Sequence, residues 1–400
     1  MTGRAPSPLQ DLAAPLLAGL IAVLVSASSN LPLFMQLFTA AHFTPAQSVS
    51  SLSSMYLALA VLGAALCLRY RAPIILGWNT AGIAVLIAEG PHFTPGDIVG
   101  ALLVSAVTLT VLGLTGLFDR LARKLPPPLA AALLAGVLLP FVLRGMAAVP
   151  AAPALLVPMF AAYLLGRAFL PRWAVPFALL AGLGAAALTG ELHPRVVHPL
   201  GALTFTQPTF NLRAILAIAV PSVVFAVASQ NLPGLAILHA SGYRSVPARP
   251  LVTLTGAAGA LASLFGSITL NLGAITAAIC TGPDAHPDPA RRFIAGLSCA
   301  AGYLGLALCG GALLGLAGAF PAPLLQGLAG LALLGPLMSG REGTLAAEPH
   351  WREGALLTLV ITASGMTWLG LSGAVWGLAL GWGLAWLRGR QLLSHEARRP

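Results

Sequence analysis

The sequence predicts an all-α polytopic membrane protein of fourteen spans, arranged as a seven-plus-seven inverted repeat with short extended runs and half-helices in spans three and ten. Three observations carry that reading. Hydrophobic residues make up 58% of the 400 residues and charged residues only 8%, with a mean hydropathy of +0.88. A soluble domain carries about 25% charged residues. Apolar stretches of roughly 17–25 residues, each long enough to cross a bilayer, recur from Pro15 to Leu387. The triplet Asn-Leu-Pro occurs twice, at Asn30 to Pro32 and at Asn231 to Pro233. Each copy lies in an apolar run, with Ser28 or Ser229 two residues before the asparagine.

The spans begin near residues 13, 46, 73, 96, 126, 152, 173, 212, 249, 271, 292, 320, 354 and 372. In the first and eighth, proline removes a backbone N–H and frees a carbonyl. A helix break is therefore expected at Pro32 and at Pro233, beside an asparagine where lipid tolerates no polar side chain. In the third span, Tyr70 to Thr80 reads as a loop and a short extended run ahead of a helical stretch, Ala81 to Ala88. The tenth repeats this with Gly266 to Leu270, then Asn271, then a helical Leu272 to Thr281. Each helical part is about ten residues, roughly 15 Å or half a bilayer. Thr80 and Asn271 sit where N-caps belong. Two half-helices then start near the midplane from opposite sides. Their free N–H groups face each other and favour an anionic or strongly hydrogen-bonding ligand.

Further matches support the repeat. Ile98-Val99-Gly100 in the fourth span matches Ile294-Ala295-Gly296 in the eleventh. Pro126-Pro127-Pro128-Leu129, opening the fifth, matches Pro321-Ala322-Pro323-Leu324, opening the twelfth, and Leu133, Leu138 and Leu139 fall on Leu328, Leu333 and Leu334. The offsets of 195, 196 and 201 residues agree. Seven is odd, so the second copy enters from the opposite side. Matching interruptions half a chain apart are the mark of a transporter with its site at the repeat interface.

Charge fixes the expected orientation. With the N-terminus inside, 18 of the 21 basic residues fall on the cytoplasmic side, and only Arg144, Arg195 and Arg213 fall outside. Such a skew supports an even span count with both termini cytoplasmic, in a bacterial inner membrane. It also explains the net charge of +10 without a nucleic-acid partner. No cleavable signal peptide is read. Cys67, Cys280, Cys299 and Cys309 fall in apolar spans and read as small buried residues. Glu89 and Asp97 read as outside loop charges. No Ser–His pair, His-Glu-x-x-His or metal-spaced cluster lies within the spans, so neither catalysis, metal nor cofactor is expected.

The segment from Ser229 to Gly234, the junction Arg69-Tyr70-Arg71-Ala72-Pro73 and the loop from Pro283 to Pro289 resemble the bacterial benzoate/proton symporter family. That family is similar in architecture to nucleobase transporters and to sulfate-type anion exchangers. The resemblance implies a core domain of residues 12–118 and 211–318, a gate domain of 126–190 and 320–388, and short antiparallel strands in spans three and ten. It implies substrate at the core–gate boundary, often with a homodimer formed through the gate. Nucleobase relatives place glutamates where this chain has Gln230 and Leu270. Losing both charges argues against a nucleobase and suits an anion with an apolar body.

The candidate substrate-binding residues are Ser28, Asn30, Trp78, Asn79, Thr80, Ser229, Gln230, Asn231, Leu270 and Asn271. A single buried Asn commonly only bonds a neighbouring helix, and Ser commonly bonds its own backbone. Trp78 suits either ring stacking or packing. Four of the five asparagines converging on symmetric interruptions point to a ligand. Asn231→Ala and Asn30→Ala are expected to impair transport more than folding, Asn231 the more. Asp284 and His286 are candidates for proton coupling, against a reading in which they and Asp288 merely pair with Arg291 and Arg292 in a solvated loop. No acidic or basic residue falls near the midplane, so proton symport follows from the resemblance alone. The function read is import of benzoate or a similar small aromatic carboxylate, with protons, across a lipid bilayer. The alternatives are a nucleobase or inorganic-anion transporter of this fold, or a passive anion channel.

Overall fold

The computed structural model describes residues 8–118, 120, 126–192, 200–282, 285–345, 349–368 and 371–396, most of them helical. In order these are α1 (Pro8–Ala40), α2 (Pro45–Tyr70), β1 (Leu76–Trp78), α3 (Thr80–Glu89), α4 (Pro95–Thr115), α5 (Pro127–Ala147), α6 (Pro153–Phe169) and α7 (Ala174–Leu188). There follow α8 (Leu212–His239), α9 (Ala248–Ser263), β2 (Leu270–Leu272), α10 (Ala274–Thr281), α11 (Phe293–Leu308), α12 (Gly310–Gly318), α13 (Ala322–Leu345) and α14 (Pro349–Ala363). A hairpin of β3 (Thr367–Trp368) and β4 (Leu371–Ser372) leads into α15 (Gly373–Glu396). Among the described residues, four helices are long and apolar enough to cross a membrane by themselves: Pro45–Tyr70, Pro95–Thr115, Pro128–Ala151 and Leu212–His239.

The expected breaks at Asn-Leu-Pro do not occur. Helix α1 runs through Pro15 and Pro32 without interruption. The second copy also stays helical, but α8 widens into π turns at Ile215–Ala219 and Ala226–Asn231. Each π segment ends two residues before a proline, Pro221 or Pro233. An α-helical proline leaves the carbonyl four residues back without its donor. The wider turn shifts the ladder by one, so that the Leu232 N–H reaches the Val227 carbonyl and the Val220 N–H that of Ile215. The strain expected of a break is absorbed as bulges.

The most extensive helix contacts fall into two groups, which α1 joins by packing on α13 as well. Helix α4 packs on α9, and α11 packs on both α1 and α2; α5 packs on α13 and α14, α14 on α15, and α6 on α7. Small residues allow a close crossing of α4 and α9. A Cβ at Gly256 would stand 2.6 Å from the Thr110 nitrogen, and one at Gly113 2.6 Å from the Thr253 nitrogen. Backbones approach closely there because no side chain intervenes. Gly256→Val is expected to cost about 1–3 kcal/mol through overpacking, measured as a lower melting temperature of purified protein in detergent. Gly305→Ala, where a Cβ meets nothing within 4 Å, should leave melting unchanged or higher.

The segment from residue 200 to 211 is sewn onto α2, α4 and α9. The Ser50 hydroxyl accepts from the Thr204 N–H (2.8 Å) and donates to the Phe265 carbonyl (2.9 Å). The Gln47 amide donates to the Thr206 hydroxyl (3.2 Å). Asp97, expected as a loop charge, instead caps α4 with Thr94 and accepts from the Thr209 hydroxyl at 2.7 Å. Of the cysteines, Cys67, Cys280 and Cys299 are buried, whereas Cys309, expected to be buried, is exposed.

Candidate functional site

Strands β1 and β2 pair antiparallel, with Leu76 opposite Leu272, Gly77 opposite Asn271 and Trp78 opposite Leu270. The Gly273 N–H extends the ladder to the Ile75 carbonyl at 2.9 Å. Each strand feeds directly into a short helix, so α3 and α10 leave from opposite ends of the ladder. Their lengths are 10 and 8 residues. The N-caps are Asn79 (φ −93°, ψ 101°) and Gly273 (φ −83°, ψ 100°), one residue before and two residues after the expected Thr80 and Asn271. The shift at β2 arises because Asn271 and Leu272 are held in the ladder, which delays the helix. Around this ladder, α1 packs on both short helices, the Ala226–Asn231 turn of α8 packs on β2, and α5 packs on α3 and on that turn.

The polar side chains at the ladder divide into satisfied and unsatisfied groups. Asn231 is fully buried and its Oδ1 accepts from the Leu272 N–H at 3.0 Å. Its Nδ2 donates to Asn271 Oδ1 at 3.3 Å, and Asn271 Nδ2 donates to the Thr269 carbonyl at 3.3 Å. These two asparagines therefore clamp α8 to β2. Gly234 completes the approach, since a Cβ there would stand 2.7 Å from that of Leu272. On the other side, the Thr80 hydroxyl donates to Asn30 Oδ1 (3.1 Å), and Asn30 Nδ2 donates to the Ser26 carbonyl (2.9 Å). Ser229 Oγ donates to the Phe225 carbonyl of its own helix at 2.7 Å. The Ser28 side chain lies outside the described residues.

Asn79 differs from all of these. It is 0% exposed, and neither its Oδ1 nor its Nδ2 has a hydrogen-bond partner. Its amide lies over the first turn of α3, where a Cβ on Gly82 would stand 3.3 Å from Asn79 Cγ. An unpaired buried amide costs about 1–3 kcal/mol, so a buried pair of orphans calls for a partner. Gln230 is half-buried, and its side chain makes no hydrogen bond among the described residues. Thr276 places its hydroxyl over the start of α10, 2.6 Å from where a Cβ of Gly273 would stand. Sequence reasoning passed over Thr276, although a Gly-x-x-Thr spacing at a helix start is a signal that could have found it.

Two further candidates are packing residues in this geometry. Trp78 is buried among Phe34, Tyr56 and Tyr303, with ring centroids 5.6, 5.7 and 6.2 Å away. Leu270 is 1% exposed and lies against Gly259 of α9. The Tyr56 and Tyr303 rings stack at 5.8 Å and are both fully buried. The Tyr303 hydroxyl donates to the Leu76 carbonyl at 3.5 Å.

The loop after α10 is not a solvated cluster. Arg292 is buried and donates to the carbonyls of Thr281 (2.8 Å), His286 (2.7 Å) and Pro287 (3.3 Å). Its charge thereby meets the negative end of α10. His286 is buried too, and its Nδ1 accepts from the Asp288 N–H at 3.0 Å. Asp288 and Arg291 form an exposed pair at 3.9 Å. Asp284 lies outside the described residues. Among the described residues no group of three acidic, His or Cys side chains could hold a metal. An apolar cavity of about 350 Å³ lies where α5, α8 and α15 meet, lined by Leu133, Pro221, Val224, Leu378 and Trp382, and it includes no candidate residue.

Residues 10–387 match the family model described as benzoate membrane transport protein. The chain is 36% identical over 367 residues to the inner membrane protein YdcO of Escherichia coli, covering 92% of this chain and 93% of that one. It is 33% identical over 370 residues to the benzoate membrane transport protein of Acinetobacter baylyi, covering 91% and 92%. Among solved structures it resembles the transmembrane domain of the cyanobacterial bicarbonate transporter BicA, with TM-score 0.59, 14% identity and coverage of 94% and 98%. It also resembles the murine anion transporter Slc26a9 in its inward-facing state, with TM-score 0.62, 13% identity and coverage of 93% and 68%. At those identities the structural likeness speaks for the fold. The protein is a membrane transporter, not an enzyme. The chain belongs to the benzoate membrane transport protein family.

Proposed function

We propose that the protein is a secondary active transporter that imports benzoate or a similar small aromatic carboxylate with protons, by alternating access. The observation that carries the site is the orphaned, fully buried Asn79 amide at the start of α3, beside the antiparallel strands. The carboxylate would accept from Asn79 Nδ2 and from free N–H groups of the first turns of α3 and α10, at the positive ends of both helix dipoles. Thr276 and Gln230 would complete the polar rim. No carboxylate side chain stands among these residues to repel an anion, and the name of the Acinetobacter baylyi relative points to benzoate.

In this reading the fold has fourteen spans in two inverted sets of seven, and both termini are cytoplasmic. The core comprises residues 12–118 and 211–318; the gate comprises 126–190 and 320–388. The two packing sets support that division, and the antiparallel ladder supports the inversion. Substrate lies where α5 meets α3 and α8, so sliding of one set against the other would expose it to each side in turn. Proton coupling has a physical reason. Bringing one negative charge inward against a negative-inside potential costs about 2.3 kcal/mol per 100 mV, and a proton carried along cancels that term. Counterflow of labelled benzoate in proteoliposomes, measured with the exterior at neutral and at acidic pH, tests the reading. Saturable, counterflow-competent exchange stimulated by an acidic exterior is expected. Selective transport of uracil or sulfate, or unitary currents, would overturn it.

A further inference from the structure

A second cavity, of about 300 Å³, lies between α1, α5 and α13, lined by Gln36, Phe141, Arg144, Ala148, Gln326 and Ala329. That volume is at the lower end of the usual range for small-molecule sites, about 300–1,000 Å³. Its chemistry differs from the surrounding apolar surface. Arg144 holds its guanidinium 5.4 Å from the centroid of the Phe141 ring. Two neutral amides, Gln36 and Gln326, face the same space, and no acidic side chain lines it. In the proposed orientation Arg144 belongs to the side that carries few basic residues.

We infer that this cavity is an outer recruitment site for small aromatic carboxylates, separate from the ladder. The guanidinium and the two amides suit a carboxylate, and the alanines with the exposed part of Phe141 give an apolar wall that suits a ring. The inference rests on the proposed function for its ligand and on the proposed orientation for its side. The cavity also spans both packing sets. Gln36 of α1 donates to the Leu325 carbonyl of α13 at 3.3 Å, so sliding of the two sets would reshape the cavity and hand its occupant inward.

The test uses full-length protein in proteoliposomes, with Cys309→Ser removing the exposed thiol and Ala148→Cys, at the cavity wall, providing a reporter. An anionic methanethiosulfonate reagent should modify that cysteine about five-fold faster than a neutral one of like size, the factor one nearby unit charge gives at high dielectric. Benzoate should slow the modification. Adding Arg144→Gln should bring the two reagents to equal rates and abolish protection, while Arg144→Lys should keep the charge preference. In otherwise wild-type protein, Arg144→Gln should raise the KM for benzoate several-fold with kcat unchanged. Equal reagent rates with Arg144 present, or protection that survives Arg144→Gln, would overturn the site. The reagent preference does not depend on transport. Absence of counterflow in the wild type therefore counts against the transport reading alone, and an unaltered preference against the recruitment site alone.

Discussion

Asn79→Leu should weaken carboxylate binding by about ten- to hundredfold or more and at the same time raise the melting temperature of the ligand-free protein. The two effects have one cause. Asn79 is buried with both polar atoms unpaired, and as the N-cap of α3 it makes no side-chain capping bond that its loss would forfeit. Replacing it with an apolar side chain of similar size removes an unsatisfied amide, a relief of about 1–3 kcal/mol. Binding moves the other way. A hydrogen bond to a charged ligand is worth roughly 1.5–3 kcal/mol, about a ten- to hundredfold change in affinity. An apolar branch aimed at the carboxylate adds desolvation without a replacement donor. Titration calorimetry with benzoate and thermal melting, run on the same purified variant, read both quantities. A variant that binds normally, or that melts lower and binds normally, would remove Asn79 from the ligand's contacts.

The chain itself displays the helical character and the two interrupted segments where the site is proposed, because both depend on features with strong local signatures. Long apolar runs and the extended segments that interrupt spans three and ten place α2, α4, β1 and β2 within a few residues. The four asparagines at the ladder are likewise visible as rare polar residues in an apolar chain. Their separate roles are not. Asn30, Asn231 and Asn271 find partners on segments 40 or more residues distant in sequence or on their own helix turn, and no local pattern announces which of them is left over. Pro32 and Pro233 read alike in sequence, yet one is absorbed in a plain helix and the other follows a π turn. That choice belongs to the packing of α8 on β2. Charge in a loop usually points to solvent, yet the Thr281 carbonyl at the end of α10 and the His286 and Pro287 carbonyls of the loop draw Arg292 inside.

Asn231→Ala should chiefly destabilise the protein, reversing the expectation that it acts on transport first. In the folded state Asn231 Oδ1 receives the Leu272 N–H and Nδ2 donates to Asn271 Oδ1. Truncation leaves a backbone donor without its partner and Asn271 with one bond fewer, both in a site without exposure. Unpaired buried groups of this kind cost about 1–3 kcal/mol each. Alanine also opens a gap between α8 and β2 at the level where Gly234 brings them together. The expected result is a clearly lower melting temperature and lower yield, with benzoate affinity in the surviving protein within a few-fold of wild type. Asn271→Ala should behave similarly. The double variant should be less destabilised than the sum of the two, because the same Asn–Asn bond is lost in each; a coupling of at least about 0.5 kcal/mol is expected for residues in direct contact. Additive losses would mean that the two side chains act independently. A large loss of affinity with unchanged melting would restore Asn231 as a direct ligand contact and leave Asn79 to share that role.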